Sequence, residues 1–192
     1  GVEMLSRFMI MTAVLAAVFS FEAGLVHAAD APETAISSPP SAQDVFNAAL
    51  SYRKAGDAWF ELGEKNKAAG EYLLALGTAR GAFTLSERVE MASRISWAGE
   101  YAKAEAELRL VLGEDPSNTA GRIQLARVLS WAGELEGAMK EIETVLTSEP
   151  ANTEAWLVKA AVLRWKGDNA GAINIYQDVL GRKDAFDARV GL

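Results

Sequence analysis

Three tryptophans recur along the chain with the spacing and the neighbours of a ligand-binding surface. They stand 34 residues apart, and residues four apart on a helix share one face. The stripe predicted on this basis pairs Ser93 with Trp97, Arg127 with Trp131, and Ala161 with Trp165, and it is flanked by Ser96, Ser130 and Arg164. A row of indole faces would hold an extended ligand, a peptide or a glycan chain, by stacking, and Arg127 and Arg164 would supply hydrogen-bond donors.

The same spacing is compatible with a purely structural role for the tryptophans. Aromatic residues at helical intervals usually belong to packing, so each indole would then lie at a helical turn against its neighbour. A second row, formed by Glu100, Glu134 and Asp168, resembles a set of ligating carboxylates. We expect these acidic residues to begin helices instead, because negative charge is favourable at the positive end of a helix dipole.

The composition argues against catalysis. The chain has no cysteine, which excludes a thiolate nucleophile, a disulfide and a cysteine-ligated metal, and its single histidine is His27. No Ser/His/Asp set, pair of catalytic carboxylates, metal-ligand spacing or phosphate-binding loop is present. We therefore expect a protein that is not an enzyme and that needs no cofactor or metal.

The net charge of the chain argues against one class of partner, nucleic acid. Nineteen Lys and Arg residues stand against 26 Asp and Glu residues, for a net charge of −7. No basic block is long enough to follow a phosphate backbone, so nucleic acid is not expected as a partner.

The first residues have the layout of a secretory signal peptide. Met4 is the natural start, which suggests that residues 1–3 are not translated, and Arg7 precedes an apolar stretch at 8–21 and small residues around Ala28. That stretch is shorter than the roughly 20 apolar residues of a membrane-spanning helix, so we favour cleavage after Ala28 over an uncleaved anchor. Residues 1–28 then form the signal peptide and 29–41 a flexible linker rich in Pro, Ser and Ala. The expected location is the periplasm or the periplasmic side of the outer membrane, after secretion across the inner membrane.

A repeat of 34 residues organises the rest of the chain. Residues 85–118 and 119–152 align without a gap and share 13 identities in 34 positions; 153–184 is a third copy and 42–84 a degenerate one. Each complete copy has apolar residues at helical spacing on both sides of a glycine, which favours two amphipathic helices joined by a tight turn. Alanines at 104, 138 and 172 would let the paired helices approach closely, prolines at 116 and 150 would end the second helices, and asparagines at 118 and 152 would cap the next ones.

These signals predict eight helices and no sheet. The expected helices are 44–62, 65–78, 85–98, 101–113, 119–132, 135–147, 153–166 and 169–181. Residues 185–192 would begin a further helix, which suggests that the sequence is part of a longer reading frame; a short terminal capping helix is the alternative.

The period and the small residues resemble the tetratricopeptide repeat family. In the second full copy the matching positions are Leu125, Ala126, Leu129, Gly133, Ala138, Ile142 and Pro150. The resemblance implies an all-α fold, a right-handed α-solenoid of about four such helical hairpins, whose first helices line a concave groove. The groove residues that it implies here are Ser93, Trp97, Arg127, Ser130, Trp131, Arg164 and Trp165. The sequence departs from the family pattern at Arg88 and Arg122, where an aromatic is usual, and at Asp184, which replaces the exit proline.

The combination of a signal peptide with Trp-Ala-Gly repeats resembles the N-terminal repeats of YaiO-type outer-membrane proteins. That resemblance covers roughly residues 85–192. It implies a non-catalytic scaffold of the bacterial envelope that binds a protein or peptide segment along its groove, within a longer outer-membrane or exopolysaccharide-related protein. Membrane association would then come only from a missing C-terminal region. The alternative is a stand-alone periplasmic subunit that binds a polysaccharide or assists secretion.

Overall fold

The structure, a computed structural model, describes residues 39–190, and for 182–190 it describes the backbone alone. Eight α-helices, one short 3-10 turn and no strand make up the described part of the chain, which confirms the predicted all-α fold. None of these helices is long and apolar enough to cross a membrane. The predicted signal peptide at 1–28 and most of the predicted linker at 29–41 lie outside the described residues.

The chain divides into two compact units at residues 100 and 101. The first contains α1 (Ala42–Glu61), α2 (Lys65–Ala79), a 3-10 turn (Arg80–Ala82) and α3 (Leu85–Ser96). Helix α2 packs against both α1 and α3.

The second unit contains five helices. They are α4 (Tyr101–Glu114), α5 (Thr119–Trp131), α6 (Leu135–Ser148), α7 (Thr153–Trp165) and α8 (Asn169–Val190). Each packs on the next, and α5 also packs on α7. The first helices of two successive repeats are thus direct neighbours within this unit.

Glycine ends the first helix of each repeat by adopting a left-handed conformation. The φ angles of Gly99, Gly133 and Gly167 are 83°, 87° and 87°, which a residue with a Cβ rarely adopts. After α5, the main-chain N–H of Gly133 donates to the carbonyl of Ser130 and that of Glu134 donates to the carbonyl of Leu129. This pair of bonds is a Schellman motif, which satisfies the last carbonyls of the helix and turns the chain sharply.

The predicted caps and crossing points are confirmed. The side-chain oxygen of Asn118 accepts from the main-chain N–H of Gly121 at 2.8 Å, and that of Asn152 accepts from Ala155 at 2.9 Å. Ala104 and Ala138 are completely buried and Ala172 nearly so. A larger side chain at these places would force the paired helices apart.

The structure differs from the sequence prediction at the end of the chain. A break was expected after residue 181, with a new helix from about Asp184, but α8 runs without interruption from Asn169 to Val190. Pro116 and Pro150 follow the second helices of the two preceding repeats, and Asp184 stands at the equivalent place. Aspartate retains its N–H and does not clash with the preceding turn, so it does not stop a helix as proline does.

Candidate ligand-binding face

In the first unit, Trp97 is partly engaged in packing. It follows the last residue of α3 and is 48% exposed, and its ring centroid lies 5.3 Å from that of Phe60 on α1. Ser93, one turn earlier, is half-buried, and its carbonyl accepts from the N–H of Trp97. The indole therefore helps to join α1 and α3 and keeps about half of its surface in solvent.

A polar cluster around Tyr72 also joins the helices of the first unit. Tyr72, on α2, is completely buried, and its hydroxyl donates to Oδ1 of Asp57 at 2.8 Å. The Nη1 of Arg94 donates to the Tyr72 hydroxyl and to Oδ1 of Asp57, in both cases at 2.6 Å. Burial raises the pKa of the Tyr72 phenol well above its ordinary range, so the hydroxyl stays protonated and available as a donor.

Carboxylates of α3 complete this cluster. Glu87 forms an ion pair with Arg53 of α1, and Glu90 forms one with Arg94 of its own helix. Hydrogen bonds from the main chain and hydroxyl of Thr84, followed by the interaction with Arg53, hold the pKa of Glu87 below its usual value. Every cation in the cluster has a carboxylate partner, which is the arrangement of a structural network.

The tryptophans of the second unit are surface residues. Trp131 is the last residue of α5 and is 38% exposed, and Trp165 is the last residue of α7 and is 58% exposed. Because α5 packs on α7, the two indoles stand at corresponding ends of neighbouring helices. The Trp131 and Trp165 side chains therefore present apolar surface to solvent, and neither belongs to the core.

A single ion pair links the two helices on this side. The Nη2 of Arg127 on α5 lies 2.9 Å from Oε1 of Glu154 on α7. Residues 124, 127 and 131 share one face of α5, and residues 154, 157, 161 and 165 share one face of α7. We call these residues, together with Arg164, the α5/α7 face.

Two polar side chains of α5, Gln124 and Ser130, are buried below this surface. Gln124 is 6% exposed, and its Oε1 accepts a long hydrogen bond of 3.5 Å from Nη1 of Arg127. Ser130 is buried, and its hydroxyl donates to the carbonyl of Arg127 at 2.7 Å. Ser96 does the same in the first unit, with the carbonyl of Ser93. The predicted groove residue Ser130 therefore stabilises the end of its helix and does not present its hydroxyl to the surface.

Arg164 differs from Arg127 in its surroundings. Its guanidinium is exposed and lies over the Trp165 ring, 5.6 Å from the centroid. The neighbouring Lys166 is paired with Glu136 of α6 at 3.2 Å. The end of α7 thus combines an exposed indole with an exposed guanidinium stacked on it.

The acidic row lies at helix starts, as predicted. Glu134 is the residue before α6, and Oδ1 of Asp168 accepts from the N–H of Gly171 in the first turn of α8. Within residues 39–181, no group of three or more His, Cys, Asp or Glu side chains could hold a metal ion.

The structure brings together four predicted site residues on the α5/α7 face: Arg127, Trp131, Arg164 and Trp165. Sequence reasoning missed Gln124, Glu154 and the exposed Leu157 as members of this face. Extending the helical spacing backwards from Trp131 and Trp165 would have found them. The Arg127–Glu154 pair could not have been found in this way, because it depends on how two separate helices pack.

Comparison with known proteins agrees with this architecture. Residues 98–162 match the family model for the tetratricopeptide repeat. No curated protein matches the chain in sequence.

Several solved structures share the fold at low sequence identity. One is YrrB, described as a tetratricopeptide repeat protein with an unusual peptide-binding site: 17% identity, 70% of this chain and 68% of YrrB covered, TM-score 0.56. Another is MamA: 15% identity, 74% and 82% covered, TM-score 0.58. A third is a tetratricopeptide repeat protein from Parabacteroides merdae: 16% identity, 72% and 59% covered, TM-score 0.59. The matched segment and the shared architecture show that this chain has the all-α fold of tetratricopeptide repeat proteins.

Proposed function

We propose that the chain is a non-catalytic interaction scaffold that binds an extended peptide segment of a partner protein on the α5/α7 face. The observation that carries the proposal is the exposure of Trp131 and Trp165 at corresponding ends of two adjacent helices. Exposed indoles are costly in solvent and are enriched at protein interfaces, where they contribute a large contact area with few rotatable bonds.

The surroundings of the indoles support a peptide as the ligand. Arg127, one turn before Trp131 on α5, is held by Glu154 and by Gln124, so a polar group with a defined position lies on the same face as an exposed indole. Apolar and polar contacts close together on one surface suit an extended peptide segment, whose successive side chains reach different parts of that surface. YrrB, which shares the fold, is described as having a peptide-binding site.

Selection from a displayed library of random 12-residue peptides tests this function. We expect the purified chain to enrich a defined set of peptides, and Trp131→Ala and Trp165→Ala to weaken their binding by about 1 kcal/mol or more each. Leu110→Ala is the matched control, because Leu110 is an exposed apolar residue on α4, away from this face. Circular dichroism should show the same helix content for all three variants.

The same variants separate a peptide ligand from a glycan. Stacking on indoles is also a common way to hold sugar rings, so a panel of linear oligosaccharides should be titrated while tryptophan fluorescence is recorded. Saturable binding of an oligosaccharide that is lost in Trp131→Ala, with no peptide enriched, would contradict the proposal and favour the carbohydrate-binding alternative.

We further propose that the scaffold acts in the bacterial envelope, after export across the inner membrane to the periplasm. The support is the arrangement of Arg7, the apolar stretch at 8–21 and the small residues near Ala28. Fusion of residues 4–41 to alkaline phosphatase, which is active only after export, should give activity in a bacterial host. Replacing Val14 and Leu15 by arginine should abolish that activity. An active cytoplasmic reporter fused to the same segment would count against export.

The link to YaiO-type outer-membrane proteins is part of this proposal. It rests on the Trp-Ala-Gly turns at 97–99 and 131–133 together with the predicted signal peptide. The coding sequence downstream of Leu192 tests it, because a stop codon immediately after Leu192 would favour a stand-alone subunit.

A further inference from the structure

Among the side chains that the structure describes, one cation of the α5/α7 face has no carboxylate partner. Arg127 is paired with Glu154, and Lys166 is paired with Glu136. Arg164 forms no ion pair with any side chain that the structure describes. Its guanidinium lies over the Trp165 ring. In a chain with a net charge of −7, an exposed guanidinium without a carboxylate marks a place where an acidic ligand group is favoured.

Stacking prepares this guanidinium for a carboxylate. A planar guanidinium that lies over an indole keeps its N–H groups at its edge, where they can form two parallel hydrogen bonds to a carboxylate. The exposed part of the Trp165 ring provides apolar surface next to it. The end of α7 therefore suits an acidic residue with an apolar neighbour.

The end of α5 has the opposite preference. There the guanidinium of Arg127 is already satisfied, and a second carboxylate would be repelled by Glu154. Trp131 then offers its exposed surface to an uncharged apolar side chain. The two ends of the face thus differ in the charge that they accept.

The packing of α5 against α7 sets the distance between the two contact positions, at the end of α5 and at the end of α7. Helices in contact have axes about 8–10 Å apart, and an extended peptide in the polyproline II conformation advances about 3.1 Å per residue with three residues per turn, so side chains three positions apart lie on the same side, about 9 Å from each other. Neighbouring helix ends therefore correspond to about three residues of ligand. Building on the proposed function, we propose that the α5/α7 face selects an extended peptide with an apolar residue on Trp131 and, about three positions away, an acidic side chain on Arg164 and Trp165.

The peptides selected from the random library test this rule. Those enriched by the wild-type chain should carry Asp or Glu about three positions from an apolar residue. Arg164→Gln should lose the preference for the acidic residue and keep the preference for the apolar one. Lys140→Gln is the matched control, because Lys140 is an exposed cation on α6 and its loss changes the net charge equally; this variant should select like the wild type.

A double-mutant cycle on one selected peptide, with its C-terminus amidated, gives the decisive measurement. Replacing its acidic residue by the corresponding amide should weaken binding to the wild type roughly 3- to 10-fold, as expected when a charge-assisted hydrogen bond is replaced by a neutral one, and should have no effect on binding to Arg164→Gln. Equal losses in both proteins, enrichment without an acidic residue, or dependence on a free C-terminal carboxylate would overturn the rule and leave the proposed function standing. If no peptide is enriched at all, the proposed function fails and the rule fails with it.

Discussion

The two units differ in the side chains that connect their first helices. In the first unit, α1 and α3 are joined by the buried Tyr72 with its polar cluster, and Trp97 lies against Phe60. In the second, the side-chain ion pair between α5 and α7 is Arg127–Glu154, and the two indoles remain exposed. The tryptophan at this repeat position therefore contacts an aromatic ring of another helix in the first unit, while about half of its surface stays exposed, and it forms part of the α5/α7 face in the second. A repeat preserves backbone geometry, and each copy can assign its outer side chains independently.

Truncating one aromatic residue in each unit should give the largest difference. Tyr72→Ala removes a completely buried ring and should lower the free energy of unfolding by about 3–5 kcal/mol. Trp131→Ala removes a ring that is 38% exposed and should lower it by less, about 1–2 kcal/mol. Urea denaturation monitored by circular dichroism measures both, and equal losses would mean that Trp131 is a core residue.

Adding one methyl group should show how closely the first unit is packed around the same ring. A Cβ on Gly56 would lie 2.7 Å from Cε1 of Tyr72, so Gly56→Ala should destabilise the protein by about 1–3 kcal/mol. Gly70, on α2, has nothing within 4 Å of its added Cβ. Gly70→Ala should therefore stabilise by about 0.5–1 kcal/mol through helix propensity alone. If the two variants have the same sign in thermal melts, Tyr72 does not occupy the position described.

The hydroxyl of Tyr72 should contribute to stability in a pH-dependent way. Tyr72→Phe removes its hydrogen bonds with Asp57 and Arg94 and should cost about 1–2 kcal/mol at neutral pH. Because burial raises the pKa of this phenol in the folded state, its contribution is complete below the ordinary tyrosine pKa of about 10 and is lost as the pH rises above it. The difference between wild type and variant should thus shrink above about pH 10 in urea titrations at several pH values. A difference that stays constant would mean that the phenol is not desolvated.

Removing the ion pair between α5 and α7 should have the smallest effect. Both partners are partly exposed, so Arg127→Gln should cost about 0.2–1 kcal/mol and the loss should become smaller at 1 M salt. Arg94→Gln in the first unit should cost more, about 1.5–3 kcal/mol, because Arg94 donates to both Asp57 and the buried Tyr72. If chemical denaturation shows a larger loss of stability for Arg127→Gln than for Arg94→Gln, the two units do not differ in the way described.

Most of the fold could be predicted because its signals are local. The bounds of seven of the eight helices were predicted to within two residues from helical spacing, the turn glycines and the asparagine caps. The starts of two helices, α1 and α3, carry a further signal in the sequence. Ser41 with Asp44, and Thr84 with Glu87, form capping boxes, and the spacing of three residues is visible in the sequence.

The sequence by itself therefore determined the repeat, the turns and the core face of each helix, since these depend on residues within about one helical turn of each other. Only the tertiary structure decided which outward positions are covered. It buried Ser130 against its own helix and placed Tyr72 between Asp57 and Arg94. It also left Trp131 exposed and placed the Trp97 ring against that of Phe60. The physical reason is that exposure and ion pairing depend on which side chains of neighbouring helices meet, and residues distant in the sequence are brought together only when the helices pack.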